Sequence, residues 1–265
     1  MSSMTSSSRK FYKALLELEI PESSDKVLQT LTNDEYIANI VKETSAELYI
    51  YLWADKSCSS GAVSAYLSEV YSQLWDEMII SHNINLECFV SSNCFEHNLF
   101  DVENIYVQND LDVMLSNRMS SSSRMSILRE EAGVRHIEVQ TLPKLSNMFL
   151  ASSDPALQTN IHFLDDNAAA VPRYSKIAVG GTFDRIHNGH KKLLTLAACV
   201  ATDCLIVGIT SDEMLAAKAN AEKIKDSETR ARGVVNFLNK VCKQSKAQVV
   251  TITNPYGPTI DGKMK

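Results

Sequence analysis

Apolar positions recur along this chain with two different periods, and the changes between them mark its elements. Leu48 to Trp53 is an apolar run bounded by polar residues, which predicts a strand. Val63, Leu67, Val70, Leu74 and Met78 keep helical spacing, with Tyr66 and Tyr71 beside them; they predict an amphipathic helix that stops near Asn83. Ile84 to Val90, Asn104 to Val107 and His136 to Val139 read as three further strands, and Met125 to Ala132 as a short helix closed by Gly133. Upstream, Lys10 to Leu18 and Asn33 to Lys42 read as helices. Residues 10–148 therefore predict an α/β domain of their own, with Trp53, Trp75 and the tyrosines at positions suited to core or half-core packing.

Residues 149–174 read as a connector. It holds Pro155, Pro172, the pair Asp165 and Asp166 and the small run Ala168 to Ala170; it has no Gly, so a packed, irregular segment is expected through which the two parts of the chain meet. Residues 175–265 then alternate as β-α-β-α-β. The strands are Ile177 to Val179, Leu205 to Ile209 and Gln248 to Ile252. The helices are about His190 to Thr202 and Glu228 to Val241, with Val234, Val235, Leu238 and Val241 on one face of the second. Right-handed crossovers make the three strands parallel, and a ligand then belongs at their carboxyl ends.

Composition narrows the class. The chain has 265 residues, 45% of them hydrophobic, enough for one large or two ordinary domains. A net charge of −6 with scattered Lys and Arg argues against nucleic acid as the main partner. No apolar run approaches the ~20 residues of a membrane span. The six cysteines form no C-x-x-C pair and read as reduced thiols of an intracellular, cytoplasmic protein. The Ser-rich start up to about Arg9 reads as a floppy tail rather than a transit peptide, because Glu17 and Glu19 follow at once.

One stretch carries chemistry: Lys176 to Leu194, KIAVGGTFDRIHNGHKKLL. A short apolar run, Ile177 to Val179, reads as a buried strand; Gly180 and Gly181 break it; a polar loop with Thr182, Asp184, His187 and Asn188 follows; and Gly189 and His190 open a helix whose apolar face is Leu193, Leu194, Ala197, Ala198 and Ala201. Strand, Gly-containing loop and helix start are how α/β proteins seat a phosphate on free backbone N–H groups. Thr182, His187 and His190 add donors, and Gly189 lets the backbone come close. No Cys or Asp/Glu cluster with zinc spacing surrounds the histidines, so no metal site is expected. Neither G-x-G-x-x-G nor a Walker A loop is present. In the N-terminal domain the strand-to-helix loop Asp55 to Gly61 is the leading site candidate, ahead of the serine run Ser120 to Ser123, which reads as a flexible loop, and Cys58 within it would need a histidine partner to act as a nucleophile.

GGTFDRIHNGH resembles the (T/H)-x-G-H signature of the nucleotidylyltransferase superfamily. Val207 to Lys218 (VGITSDEMLAAK), Ser227 to Leu238 (SETRARGVVNFL) and Thr253 to Pro258 (TNPYGP) are similar to the eukaryotic-type phosphopantetheine adenylyltransferase of the coenzyme A synthase family. The resemblance covers about the last third of the chain and implies a Rossmann-like fold of the HIGH type. It implies ATP, with Mg2+ carried on its phosphates, and 4′-phosphopantetheine as acceptor, giving dephospho-coenzyme A and pyrophosphate. It implies a nucleotide site at Gly181, Thr182, Phe183, His187, Gly189 and His190; catalytic roles for His190, Lys218 and Thr182; and acceptor contacts from Thr182, Lys218 and Arg230. For Arg230 a helix-surface salt bridge is the simple alternative. Asp184 is expected to orient the loop through backbone N–H groups. A cytidylyltransferase shares the histidine loop and stays open.

The family also carries two more strands and a second phosphate-gripping motif beyond PYGP. Their absence here reads as a domain incomplete at its C-terminus, with the first strand left as an open sheet edge for an oligomer or a strand-pairing partner. On that reading the alternative to an active adenylyltransferase is a non-catalytic fragment that binds nucleotide or a partner.

Overall fold

In the computed structural model, residues 10–20, 26–101, 105, 110–117, 138–142, 169–243 and 247–254 are described. They form two parallel sheets. The first is built from β1 (Phe11–Glu19), β2 (Thr44–Trp53), β3 (Glu87–Ser92), β4 (Val113–Ser116) and β5 (Glu138–Thr141) in the order β3-β2-β1-β4-β5, with α1 (Lys26–Glu43) and α2 (Ser60–Ile80) among its crossovers. The second has the order β6-β7-β8, from β6 (Tyr174–Gly181), β7 (Ala201–Thr210) and β8 (Ala247–Ile252). Its helices are α3 (Asn188–Val200), the short α4 (Asp212–Leu215) and α5 (Ser227–Val241). All pairings within both sheets are parallel.

The clearest departure from the sequence expectation is β1, read above as a helix. Its residues FYKALLELE are good helix formers, yet the segment lies between β2 and β4 and pairs with both. Ala14, Leu15, Leu16 and Leu18 are fully buried. A helix would bury one stripe of those residues, whereas a central strand buries both faces and satisfies the backbone on two sides; tertiary context overrides propensity. β4 went unrecognised because four residues give no readable period. Of the strand expected at Asn104 to Val107, only Ile105 is described, and it is helical. The helix expected at Met125 to Ala132, the serine run Ser120 to Ser123 and the Ser-rich start lie outside the described residues, as does most of the connector.

Other expectations shift by degree. Val235 and Leu193 are solvent-exposed, so the apolar stripes of α5 and α3 are narrower than read, and Thr195 is buried in place of a hydrophobe. Ala201 belongs to β7, not α3. Trp75 lies exposed on the outer face of α2, while Trp53 is half-buried and donates its indole N–H to Glu17. β6 is half-buried rather than buried, because among the described residues it pairs on one side only, with β7.

The two sheets share one core. Among the described residues they meet through α2, β3 and the segment after it, and the described end of the connector lies on α2 with the Val171 N–H donating to Ser60 Oγ. Phe89 of β3 stacks on Phe237 of α5 at 6.0 Å. Tyr71 Oη accepts from the Val90 N–H at 3.1 Å and shares a hydrogen bond with the Thr195 hydroxyl at 3.0 Å. Asn98 closes the carboxyl end of α3, its amide donating to the carbonyls of Ala198 (2.8 Å), Cys199 (3.2 Å) and Ala201 (2.7 Å). Its neighbours close α5: Phe100 N donates to Val241 O, Lys243 N to Asn98 O, and Leu99 bridges Cys242. The last carbonyls of both helices would otherwise lack partners.

Asn98→Ala should therefore lower global stability by about 1–3 kcal/mol, the cost of orphaning buried acceptors. A lower urea midpoint with unchanged slope is the expected result; an unchanged midpoint would show the two halves to be independent.

Candidate functional site

The second sheet places its loops at one end. β6 runs out at Gly181, and the chain turns sharply at Phe183, whose φ of 49° is a left-handed conformation held by packing. The Phe183 ring lies over Gly181, where an added Cβ would fall 2.9 Å from it; this is a close approach that a side chain at 181 would forbid. The same ring packs against His190 at 5.0 Å between centroids. His190 and His187 lie 3.9 Å apart between centroids at 32°. Gly189 sits against the His187 ring, an added Cβ being 3.0 Å from it.

His187 is the N-cap residue of α3, in extended backbone geometry, and makes no side-chain cap. Three other helix starts differ. Ser59 caps α2, Ser211 caps α4 and Asp226 caps α5, each accepting from a first-turn N–H. The first turn of α3 keeps its N–H groups and its positive dipole end free for an anion, beside two imidazoles.

The tautomer of His190 follows from its surroundings. Its Nδ1 lies 3.0 Å from Arg185 O. A carbonyl only accepts, so Nδ1 carries the proton and Nε2 of the neutral ring is the bare nitrogen. Burial and the neighbouring His187 ring hold the His190 pKa below its ordinary value, against the opposing effect of the Arg185 carbonyl.

Lys218 reaches Thr182 Oγ1 at 3.3 Å from the far side of the strand ends. Asp184 accepts from the Lys225 N–H at 2.8 Å, tying the histidine loop to the turn that precedes α5. Gly181, Thr182, Phe183, His187, Gly189, His190 and Lys218 thus line one end of the sheet.

Arg230 has a different place from the one expected of a substrate contact or of a surface ion pair. It is 1% exposed and has four N–H donors committed. Nε donates to Lys225 O at 2.7 Å, Nη1 to Thr182 O at 2.7 Å, and Nη2 to Thr210 O at 2.8 Å and Asp212 Oδ1 at 2.6 Å. It joins the ends of β6 and β7 to the turn before α5, and it also contributes to the wall of a cleft between the two sheets. Asp212 also accepts from the Ser227 N–H and hydroxyl, both at 3.1 Å. From sequence, an Arg one turn into an amphipathic helix looks exposed; only the fold puts carbonyls around it.

In the N-terminal candidate loop, Asp55 to Gly61, Asp55 and Ser59 bond locally and Ser60 accepts from the Val171 N–H. Asp55 accepts from the backbone N–H groups of Cys58 and Ser57, and Ser59 caps α2. The six cysteines are free thiols, and burial pushes Cys88 and Cys242 up to about 12. Among the described residues no group of three or more His, Cys, Asp or Glu could hold a metal, and no helix is long and apolar enough to cross a membrane.

The C-terminal unit is a parallel α/β sheet that ends in a histidine loop at an uncapped helix start, an arrangement consistent with a Rossmann-like nucleotidylyltransferase domain. Residues 178–257 match the family model described as cytidylyltransferase-like. Among curated relatives, the chain is 36% identical over 104 residues to the phosphopantetheine adenylyltransferase of Saccharomyces cerevisiae, covering 39% of this chain and 34% of that protein. It is 42% identical over 89 residues to the enzyme of that name from Pyrococcus horikoshii, covering 34% and 55%. An uncharacterized protein of Schizosaccharomyces pombe is 46% identical over 83 residues, covering 31% and 26%. The chain thus spans between about a quarter and just over half of the length of these relatives. No solved structure matches it.

Two outcomes follow from the geometry. Arg230→Met should cost roughly 3 kcal/mol in stability, since it orphans buried carbonyls and breaks a pair whose Asp212 side is half exposed; chemical denaturation measures this. The lowered pKa of His190 means that the unfolded chain takes up its proton first. The His190 contribution is therefore intact above the ordinary imidazole pKa and is lost as pH falls through that value towards the folded one. Comparing the pH dependence of stability in the parent and in His190→Gln should show a shallower acid limb in the variant.

Proposed function

We propose that the C-terminal unit transfers the adenylyl group of ATP to 4′-phosphopantetheine, giving dephospho-coenzyme A and pyrophosphate in coenzyme A synthesis. The observation that carries this is the uncapped start of α3 with two stacked imidazoles on it, facing a Thr182–Lys218 pair 3.3 Å apart. The names of the relatives supply the acceptor.

The roles follow from charge. The α3 N–H groups, His187 and His190 hold the nucleotide phosphates and meet the charge that builds on the α-phosphate oxygens. Thr182 and Lys218 place the acceptor phosphate on the opposite side. An oxygen of that phosphate attacks the α-phosphorus, the bond from that phosphorus to the bridging oxygen breaks, and pyrophosphate leaves. No protein nucleophile takes part; positioning and electrostatics supply the rate. Magnesium arrives with the nucleotide, held largely by its phosphates. Arg230 positions Thr182 and touches neither substrate.

The His190 tautomer gives this reading a specific signature. Neutral His190 has no proton on Nε2, so donating to a phosphate oxygen requires proton uptake. ATP binding should consume a proton above the folded pKa and tighten as pH falls; calorimetry in buffers of different ionisation heat detects this, and His190→Ala should abolish it. Binding without proton uptake would remove His190 from the phosphate. With ATP and 4′-phosphopantetheine supplied, His190→Ala should lower turnover by about 10²–10³-fold. The cytidylyltransferase-like description of the family model favours titrating CTP as well, and a clear CTP preference would replace the adenylyl reading.

A further inference from the structure

A cleft of about 740 Å³ opens between the two sheets. It lies behind the histidine loop: Phe183 to Ile186 form one wall, but Thr182, His187, His190 and Lys218 do not line it. Its volume is that of a small-molecule site, and domain junctions are where such sites concentrate. Its floor is the stacked pair of Phe89, from the first sheet, and Phe237, from α5; both rings are buried, 6% and 4% exposed.

The charges on its rim are not evenly spent. Glu47 is engaged by Lys13 and Lys240 at 3.5 and 3.2 Å and by the Tyr49 hydroxyl. Glu87 pairs with the buried Lys191, and Asp184 accepts from the Lys225 N–H. Arg230 has four of its five N–H donors committed to the loops and to Asp212. Among the described residues the side chains of Arg185 and Lys225 have no hydrogen bond or ion pair; both line the cleft, and the Lys225 N–H is bonded to Asp184, the neighbour of Arg185 in the chain. Asn236 and Asn239, on the exposed side of α5 above the aromatic floor, likewise keep their amides for a ligand. Among the described residues Glu47 and Glu87 have cationic partners and Asp184 has a backbone N–H, while the Arg185 and Lys225 head groups have neither a hydrogen bond nor an ion pair. In a chain of net charge −6 this is a local feature, not a background tendency.

We infer that this cleft is a second ligand site, distinct from the histidine loop, which takes a small organic anion with an apolar or aromatic body: the body lies on Phe89 and Phe237, and the carboxylate or phosphate head meets Arg185 and Lys225. An occupant would touch the inner side of the turn whose Arg185 carbonyl holds His190 and whose Phe183 ring packs on it, so filling the cleft stiffens the histidine loop.

Phenyl phosphate is the probe, with benzyl alcohol as the body alone and inorganic phosphate as the head alone. Binding is followed by NMR on the full chain. Phenyl phosphate should bind saturably and at least about tenfold more tightly than either fragment, the worth of one charge-assisted hydrogen bond. Replacing both cations (Arg185→Ala with Lys225→Ala) should bring its affinity down to that of benzyl alcohol. Asn236→Trp keeps both charges but fills the mouth, and should block binding in a chain whose folded spectrum is retained. His190→Ala should leave the affinity unchanged. Phenyl phosphate binding no tighter than benzyl alcohol overturns the inference, as does an affinity that survives the double substitution. An affinity lost in His190→Ala but kept in the double variant also overturns it, and puts the anion on the histidine loop. Since the probe carries no nucleotide, failure of ATP binding leaves the cleft result standing, and failure here leaves the proposed transferase standing.

Discussion

The site depends on one buried cation. A guanidinium at 1% exposure is tolerable only when its donors are matched, and Arg230 matches four of them to Lys225 O, Thr182 O, Thr210 O and Asp212. Three of the four partners are backbone carbonyls at the ends of separate segments. The planar fork of Arg can hold all of them at once, whereas the single ammonium of Lys cannot. The loops that carry Thr182, Lys218 and Asp184 are thereby kept in register by one buried side chain.

The first domain contributes in a comparable way, from outside. Asn98 and its neighbours close the carboxyl ends of α3 and α5, so the opposite, amino ends of these helices are held steady at the site face. Tyr71, Phe89 and the Glu87–Lys191 pair continue that contact into a common core. The strand order β3-β2-β1-β4-β5 reverses between β1 and β4, and parallel sheets with such a reversal open a crevice there at the carboxyl ends of the strands. Here that position is occupied by mutually bonded side chains: Asn117 donates to Asn33, and Asn33 to Tyr66 and to the Glu19 carbonyl. The free space lies instead at the junction with the second sheet.

The histidine loop was legible because its signal is local. Gly181, Gly189 and the two histidines sit within ten residues, and glycine where backbone must approach a ring leaves a mark in sequence. The β6–α3–β7 order and the parallel pairing also followed from short-range periods and the handedness of crossovers. The burial of Arg230 was not legible, because its helix position predicts exposure and nothing local shows that two strand ends will close over it. The cleft was invisible for the same reason: Phe89 and Phe237 are far apart in the chain, and each reads as ordinary core.

β1 shows where local information stops. Its Ala, Leu and Glu residues favour a helix by a few tenths of a kcal/mol each. A place between β2 and β4 gives the same residues two hydrogen-bonded neighbours and burial on both faces, which outweighs that preference. By itself the sequence determined the elements whose burial is one-sided and the loop whose chemistry is contiguous. The tertiary structure alone decided which segment became the central strand, which cation became the clamp and where the two sheets left space, because each of these depends on neighbours that the chain brings together only when folded.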